Sequence, residues 1–347
     1  MANDKKIVVI GGGTGQAVFL RGLKHYSQNI TAVVPVTDNG SSSGMLREDL
    51  GMLPPGDIRS CLLALAETEP TMETIFQYRF DRGRLEGQNF GNLFIAAMTE
   101  IFGSFERAVQ EMGKFLSIKG KVLPVSLDDL QLSVELENGV MVQGESGIKL
   151  EVMKQKSPIK KVFITPEPTA NKEVLDEIAK ADIVIIGPGS LYTSILADLV
   201  IPGVADAVRK SKAKKIYVAN MMTQPGETDN MTILDSIKAI EEHCGEGLID
   251  YLICNDKRLD KEALQECKID EEDVKTGEAY LEAMEKYEEQ TASQLILTDD
   301  EREEIRNKGI TIFETDLVEV KNMFIRHDAI KLSEIVVNKI EKELGRI

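Results

Sequence analysis

The residues best suited to chemistry stand in short turns rich in glycine and hydroxyl groups. The first is Gly11-Gly12-Gly13-Thr14-Gly15, set between the apolar run Ile7–Ile10 and a helix-like segment carrying Ala17, Val18, Leu20 and Leu23. A strand, a glycine turn and a helix start together bring bare backbone N–H groups and the positive end of a helix up to an anion. Glycine suits such a turn because it accepts positive φ and carries no Cβ to hold a ligand away. Phosphate cradling is the chemistry implied, and a tight turn that merely needs glycine is the alternative. Two common fingerprints do not fit: Gln16 stands where G-x-G-x-x-G requires its last glycine, and no Lys-Ser or Lys-Thr follows as in a P-loop.

Similar turns recur. Thr37-Asp38-Asn39-Gly40-Ser41-Ser42-Ser43-Gly44 ends the apolar run Ile30–Val36. Asp38 falls where a doubly wound fold places an acid after its second strand, to meet a ribose or a cation; an Asp-Asn-Gly turn also forms without any ligand. Leu53-Pro54-Pro55-Gly56-Asp57 opens a helix, with Asp57 expected as its N-cap and Arg59 one turn in, where it could face an anion. Asn89-Phe90-Gly91-Asn92 is a third polar turn before an apolar helix. Gly187-Pro188-Gly189-Ser190 repeats the opening logic after Asp182–Ile186, and leads into Leu191-Tyr192-Thr193-Ser194. The run Lys215–Asn220 ends in Met221-Met222-Thr223-Gln224-Pro225-Gly226-Glu227-Thr228. His327, between Arg326 and Asp328, reads either as a local hydrogen-bonded cluster or as the neighbour of an arginine that closes on an anion.

These turns need a frame that aligns them. Buried strands alternating with helices, each strand ending in Gly, Asn, Ser or Thr, specify an α/β fold with a parallel sheet and its ligand at the carboxyl edge. Leu248–Cys254 and Ile310–Phe313 are read as further strands, and 332–344 as a closing amphipathic helix. Between Lys119 and Gly147 the pattern changes: Leu130, Leu132, Val134 and Leu136 alternate with polar residues, Asn138-Gly139 makes a turn, and Val140 and Val142 resume. Strand, Asn-Gly, strand is a hairpin signal, here an antiparallel insert serving as lid or dimer element, after which Pro158–Ile164 is expected to rejoin the main sheet. Residues 260–304 hold 17 acidic against 5 basic residues and read as an exposed helical extension with Tyr280, Leu281, Met284 and Tyr287 on one face. A docking surface for a basic partner is the other reading of that segment. The expected layout is a sheet domain from 1–115 plus 161–259 and 305–347, an inserted hairpin at 116–160, and the acidic extension at 260–304.

Composition narrows the function classes. The 347 residues carry a net charge of −17, which repels nucleic acid, and the absence of Trp suits an aliphatic parallel-sheet core. The first apolar run is too short for a signal peptide and no later run spans a membrane, so a cytoplasmic protein is expected. Cys61, Cys244, Cys254 and Cys267 show no C-x-x-C spacing and read as reduced thiols. The adjacent pair His243-Cys244 could bind a metal, but neighbours on one chain rarely converge on one ion.

GGGTG, TDNGSSSG, PPGDIR, the Gly91-Asn92 pair, IGPGSLYTSI and TQPGET occur in this order, and together they resemble the YvcK family of bacterial gluconeogenesis factors. That family shares a superfamily with CofD, the 2-phospho-lactate transferase of coenzyme F420 synthesis. The resemblance implies a Rossmann-like parallel sheet with helices on both faces, an inserted subdomain, and a homodimer. It implies UDP-N-acetylglucosamine or UDP-glucose as ligand and a regulatory role in cell shape and envelope precursor supply during gluconeogenic growth, with a protein partner. On that basis the diphosphate is assigned to Gly11, Gly12, Gly13, Thr14, Gly15, Gly189, Ser190 and Arg326. Asp38, Asn39, Ser41, Ser42 and Ser43 are assigned to the ribose, the diphosphate or a metal, Gly40, Asn92, Tyr192 and Thr193 to the substrate generally, and Asn220, Thr223, Gln224 and Glu227 to sugar hydroxyls. The CofD side implies instead a Mg²⁺-dependent transferase using a guanosine diphosphate carrier, with Asp38 on the metal and Asp57 as base or second ligand. Three positions depart from the family pattern: Asn39 replaces a second acid, Gln88 a histidine, and Ala329 a phosphorylatable threonine. An NAD(P) enzyme is a third possibility, disfavoured by the broken dinucleotide fingerprint.

Overall fold

The computed structural model of the chain describes residues 5–67, 69–260, 292–321 and 324–339. Its centre is β1 (Ile7–Ile10), four aliphatic side chains all buried. Strands numbered along the chain build a seven-stranded sheet on it: β2 (Ile30–Val34), β3 (Lys121–Pro124), β7 (Ile183–Ile186), β8 (Lys214–Val218), β9 (Tyr251–Asn255) and β10 (Thr311–Thr315). All neighbours pair in parallel, in the order β10-β9-β8-β7-β1-β2-β3. β1, β2 and β7 are buried along their whole length, as strands covered by helices on both faces must be.

The chain winds outward from β1 to β3, then returns to the other side of β1 and winds outward to β10. The direction of winding reverses between β1 and β7, and the carboxyl ends at such a reversal open a crevice. In register, Ile10 lies beside Ile186 and Val33, so the turns after β1, β2 and β7 leave the sheet side by side. Helix α1 (Gly13–Leu23) follows β1 directly, α2 (Ser41–Leu50) follows β2, and α3 (Gly56–Leu65) packs against α1. Gln16 explains how α1 manages without the third glycine of the dinucleotide fingerprint. Its buried amide donates to Val9 O (3.1 Å) and Val33 O (3.0 Å), and it accepts from Cys61 Sγ (3.3 Å), so it joins helix and strands through a polar contact.

Two sequence expectations about the insert are corrected. The hairpin forms, β4 (Gln131–Leu136) against β5 (Met141–Gln143), but β6 (Ile159–Thr165) joins it in a separate antiparallel sheet of order β5-β4-β6 and does not return to the main sheet. In β4 Leu132, Val134 and Leu136 are buried while Gln131 and Glu135 are partly exposed, which suits a small sheet with one wet face. Conversely β3, placed in the insert at 116–160, is the edge strand of the main sheet, because Val122 and Leu123 bury against β2.

At the carboxyl-terminal end β11 (Val318–Lys321) and β12 (Phe324–His327) form a hairpin, followed by the helix Ala329–Glu334 and a π-helical turn Ile335–Lys339. Most of the acidic extension (261–291), including Tyr280, Leu281, Met284, Tyr287 and Cys267, lies outside the described residues, as does 340–347. Cys61, Cys244 and Cys254 are free thiols. Among the described residues no single helix is long and apolar enough to cross a membrane.

Candidate functional site

The turns after β1 and β7 meet backbone to backbone. A Cβ on Gly189 would stand 3.2 and 3.3 Å from the carbonyl oxygen and nitrogen of Gly12, and one on Gly15 would stand 3.5 Å from the nitrogen of Gly189. At Gly189 a Cβ would be tighter than ordinary van der Waals contact against backbone, so glycine suits this approach. Gly13 adopts φ +65°, and a Cβ there would meet nothing within 4 Å, so the first residue of α1 faces open space over the crevice. No acid lies in the first turn of α1 and its N-cap, Gly12, has no side chain to cap it.

The capping group comes from elsewhere. Gly13 N–H donates to Asp57 Oδ2 at 2.9 Å. The sequence predicts Asp57 as the cap of its own helix; instead α3 starts two residues earlier than that, with Pro55 at the N-cap, and the Asp57 carboxylate reaches across to α1. Its neighbour is Asp38, whose Oδ1 accepts from Gly40 N–H (2.8 Å), which also accepts the Ser43 hydroxyl, and whose Oδ2 lies 3.2 Å from where a Cβ on Gly56 would sit. Burial raises the pKa of Asp38 above the ordinary carboxylate range. Burial, and then the charge of Asp38, push Asp57 up to about 6. Two acids are thus held close together at the positive end of α1.

The Gly-Pro-Gly-Ser turn is braced from the loop after β8. Asn220 Nδ2 donates to Gly189 O (2.9 Å) and Gln224 Nε2 to Ser190 Oγ (2.9 Å). Glu227 Oε1 accepts both Tyr192 N–H (2.9 Å) and Thr193 N–H (3.2 Å), capping the π-helical turn Leu191–Ile195. Thr223 exchanges hydrogen bonds with the Ser293 backbone, its N–H to Ser293 O and its hydroxyl oxygen from Ser293 N–H, each 2.8 Å. These four side chains, expected on sugar hydroxyls, therefore make protein contacts; Thr223 and Glu227 are buried. The Oε1 of Gln224 is buried and has no hydrogen-bond partner among the described residues.

Ser42, Asn92, Tyr192 and Thr193, which the sequence assigns to the ligand, are buried here. Ser42 and Asn92 close a network in which Ser42 Oγ donates to Gln88 Oε1 (2.8 Å) and accepts from Asn89 N–H and Asn92 Nδ2 (both 3.1 Å), while Asn92 Oδ1 accepts from Arg59 Nη1 (3.1 Å). Gln88 supplies an acceptor to that network. Tyr192 turns its ring to His243 and its hydroxyl to Met231 Sδ. The expected loop 41–43 is the first turn of α2, leaving only Ser41 exposed, where its Oγ accepts from Arg79 Nη1 (2.8 Å).

Asn39 belongs to a bridge. Its Oδ1 accepts from Ser146 N–H (2.9 Å), in the first turn of the insert helix Glu145–Gln155, and Gly144 approaches its Nδ2 closely. On the other side Gly226, in the loop after β8, packs on the Lys149 backbone. The start of this helix therefore spans the two loops that flank the crevice. His243 Nδ1–H donates to Ala239 O (2.7 Å) and Nε2 accepts from Val162 N–H (3.1 Å), so both ring nitrogens are used and the His243-Cys244 metal option falls. Arg326 stacks on Phe324, and the adjacent His327 donates from Nε2 to Ala219 O (3.1 Å) at the end of β8; burial holds His327 neutral, with a pKa near 4.

One residue escaped sequence reasoning. Asp198, in the segment Leu196–Leu199 behind the Gly-Pro-Gly-Ser turn, is fully buried, and neither carboxyl oxygen makes a hydrogen bond of good geometry. Burial and the Asp57 charge hold it protonated well above the usual range, with partial relief from Gly11 N–H. An acid inside SILADLVIP was its only signal.

The family model described as 2-phospho-L-lactate transferase CofD matches residues 7–318. The chain belongs to the CofD family. Within it, the chain is similar to the gluconeogenesis factor of Bacillus subtilis, 43% identical over 344 residues that cover 99% of this chain and 100% of that one. It is 49% identical to the gluconeogenesis factor of Halalkalibacterium halodurans over 251 residues, 72% of this chain and 77% of the relative. A crystal structure of a UPF0052-family protein from Bacillus halodurans superposes with a TM-score of 0.85 at 40% identity, covering 97% and 99% of the two chains. The motifs thus place this CofD-family member with the YvcK-type gluconeogenesis factors.

The CofD description raises Mg²⁺. Among the described residues no three His, Cys, Asp or Glu side chains converge on a metal position. Mg²⁺ needs fewer: it is usually held by one or two carboxylates, water and the phosphates of its ligand. Asp38 and Asp57 fit that donor set, with no carboxylate from Asn39.

Proposed function

We propose that the crevice binds the diphosphate of a UDP-sugar, and that the protein is a cytoplasmic regulator linking such a ligand to envelope precursor supply and cell shape. The observation that carries this reading is the backbone-to-backbone meeting of the Gly11–Gly15 and Gly187–Ser190 turns at the reversal point of the sheet. Amides there can neutralise a diphosphate without a dedicated lysine. Thr14, Gly15 and Ser190 offer donors from two sides, and Arg326 closes over the phosphates with a bidentate contact. The similarity to gluconeogenesis factors supports the gluconeogenic part of this reading; the homodimer and the protein partner are part of the proposal.

A second reading, a Mg²⁺-dependent transferase, is favoured by one observation, the neighbouring acids Asp38 and Asp57. Bound between them and a diphosphate, Mg²⁺ would supply charge neutralisation. A thermal-shift panel of UDP-N-acetylglucosamine, UDP-glucose, GDP and NAD, with and without Mg²⁺, separates the readings. Stabilisation by the UDP-sugars in EDTA is expected. Strict dependence on GDP plus Mg²⁺ supports the transferase, and a response to NAD alone contradicts both.

A further inference from the structure

The anion-binding end of α1 is already engaged by a group of the protein's own. Gly13 N–H, the first donor of the helix, is bonded at 2.9 Å to Asp57 Oδ2, and the same oxygen lies 2.7 Å from where a Cβ on Gly12 would be. This carboxylate arrives from a different helix 44 residues away, so α3 and α1 are linked by the contact. On its other side Gly13 faces open space. An incoming phosphate oxygen that seeks the Gly13 amide meets a negative group holding the same hydrogen.

We infer that Asp57 is an internal latch: its carboxylate stands in for the ligand's phosphate on the Gly13 amide and must release that amide when a diphosphate binds. The contact costs the protein affinity and makes ligand occupancy a choice between two arrangements of the α1 and α3 starts. Binding then changes how α3 is held, which is how a sensor's ligand state becomes a change elsewhere. A purely structural cap would also hold Gly13 N–H, but it would not oppose an anion. The inference takes from the proposed function only the expectation that the ligand is a diphosphate.

The test is calorimetric titration of the full chain with inorganic pyrophosphate and, separately, with UDP-N-acetylglucosamine, both in EDTA. Asp57→Asn keeps the shape and an acceptor for Gly13 while removing the charge; Asp57→Ala removes both. The latch gives pyrophosphate binding at least about tenfold tighter in Asp57→Asn, since two negative groups a few ångströms apart repel strongly in a partly buried site. Asp57→Ala, if it folds, binds at least as tightly as Asp57→Asn. Unchanged or weaker pyrophosphate binding in Asp57→Asn overturns the latch, as does failure of every form to bind pyrophosphate. If pyrophosphate tightens but the UDP-sugar binds no form, the latch stands and the proposed ligand falls.

Discussion

Gly13→Val abolishes diphosphate binding, weakening it by roughly a hundredfold or more, about 2.7 kcal/mol, while the chain stays folded. Two features of this residue separate binding from folding. A Cβ at this position would meet no protein atom within 4 Å, so the side chain starts into the space where a ligand would lie and away from the core. Its φ of +65° is unfavourable for a β-branched residue, at a cost of about 1–3 kcal/mol, which a domain stabilised by roughly 5–15 kcal/mol can bear. Circular dichroism with calorimetric titration of UDP-N-acetylglucosamine reads both. Undiminished affinity in a folded Gly13→Val protein removes the glycine turn from the site. Gly13→Ala carries less strain and a smaller obstruction, and an intermediate loss of affinity is expected.

Glu227→Ala has the largest expected effect on stability. Glu227 is 2% exposed, and its Oε1 is the acceptor for the N–H groups of both Tyr192 and Thr193. Truncation leaves two buried donors unpaired, each costing about 1–3 kcal/mol, so a total loss of roughly 2–5 kcal/mol follows. Glu227→Gln preserves a carbonyl oxygen at the same reach and is expected to lose far less. Urea denaturation of the three proteins measures this directly. Equal losses for Ala and Gln would show that the charge matters and not the acceptor; a silent Glu227→Ala would show that Leu191–Ile195 does not depend on the cap. The exchange of an expected sugar contact for a bracing role has a consequence for ligand assays as well. A weakened Glu227→Ala protein reports on the geometry of the Gly-Pro-Gly-Ser turn, not on sugar recognition.

What could be read in the sequence followed the range of the interactions involved. Ile7–Ile10 and Ile183–Ile186 announce themselves because four buried aliphatics ending in glycine have one plausible place, the middle of a parallel sheet. The Asn138-Gly139 hairpin is equally local. β3 was hidden because only Val122 and Leu123 carry its signal, and β6 was misplaced because a strand's own residues do not name its partner. At the site, glycine showed that backbone approaches were needed, and the geometry of Gly189 against Gly12 matches that reasoning. The polar residues were harder. Asp57 reads as a cap and is one, but for a helix 44 residues away. Ser42, Asn92, Asn220, Thr223 and Glu227 have the chemistry of ligand contacts and are engaged by protein groups 31 to 70 positions distant. Hydrogen-bonding type is legible in a sequence, whereas the partner that satisfies it is set by tertiary packing. Asp198 shows the limit: an acid inside an apolar segment is its one local signal, and its full burial beside Asp57 is set by tertiary packing.

The most direct measurement is a crystal structure of the protein grown with UDP-N-acetylglucosamine in EDTA. The account expects the two phosphates over the amides of Gly13, Thr14 and Gly15 and against Gly189-Ser190, with the Asp57 carboxylate withdrawn from Gly13. A nucleotide bound anywhere else, or the same crevice filled by side chains with Asp57 still on Gly13 at saturating ligand, would contradict it.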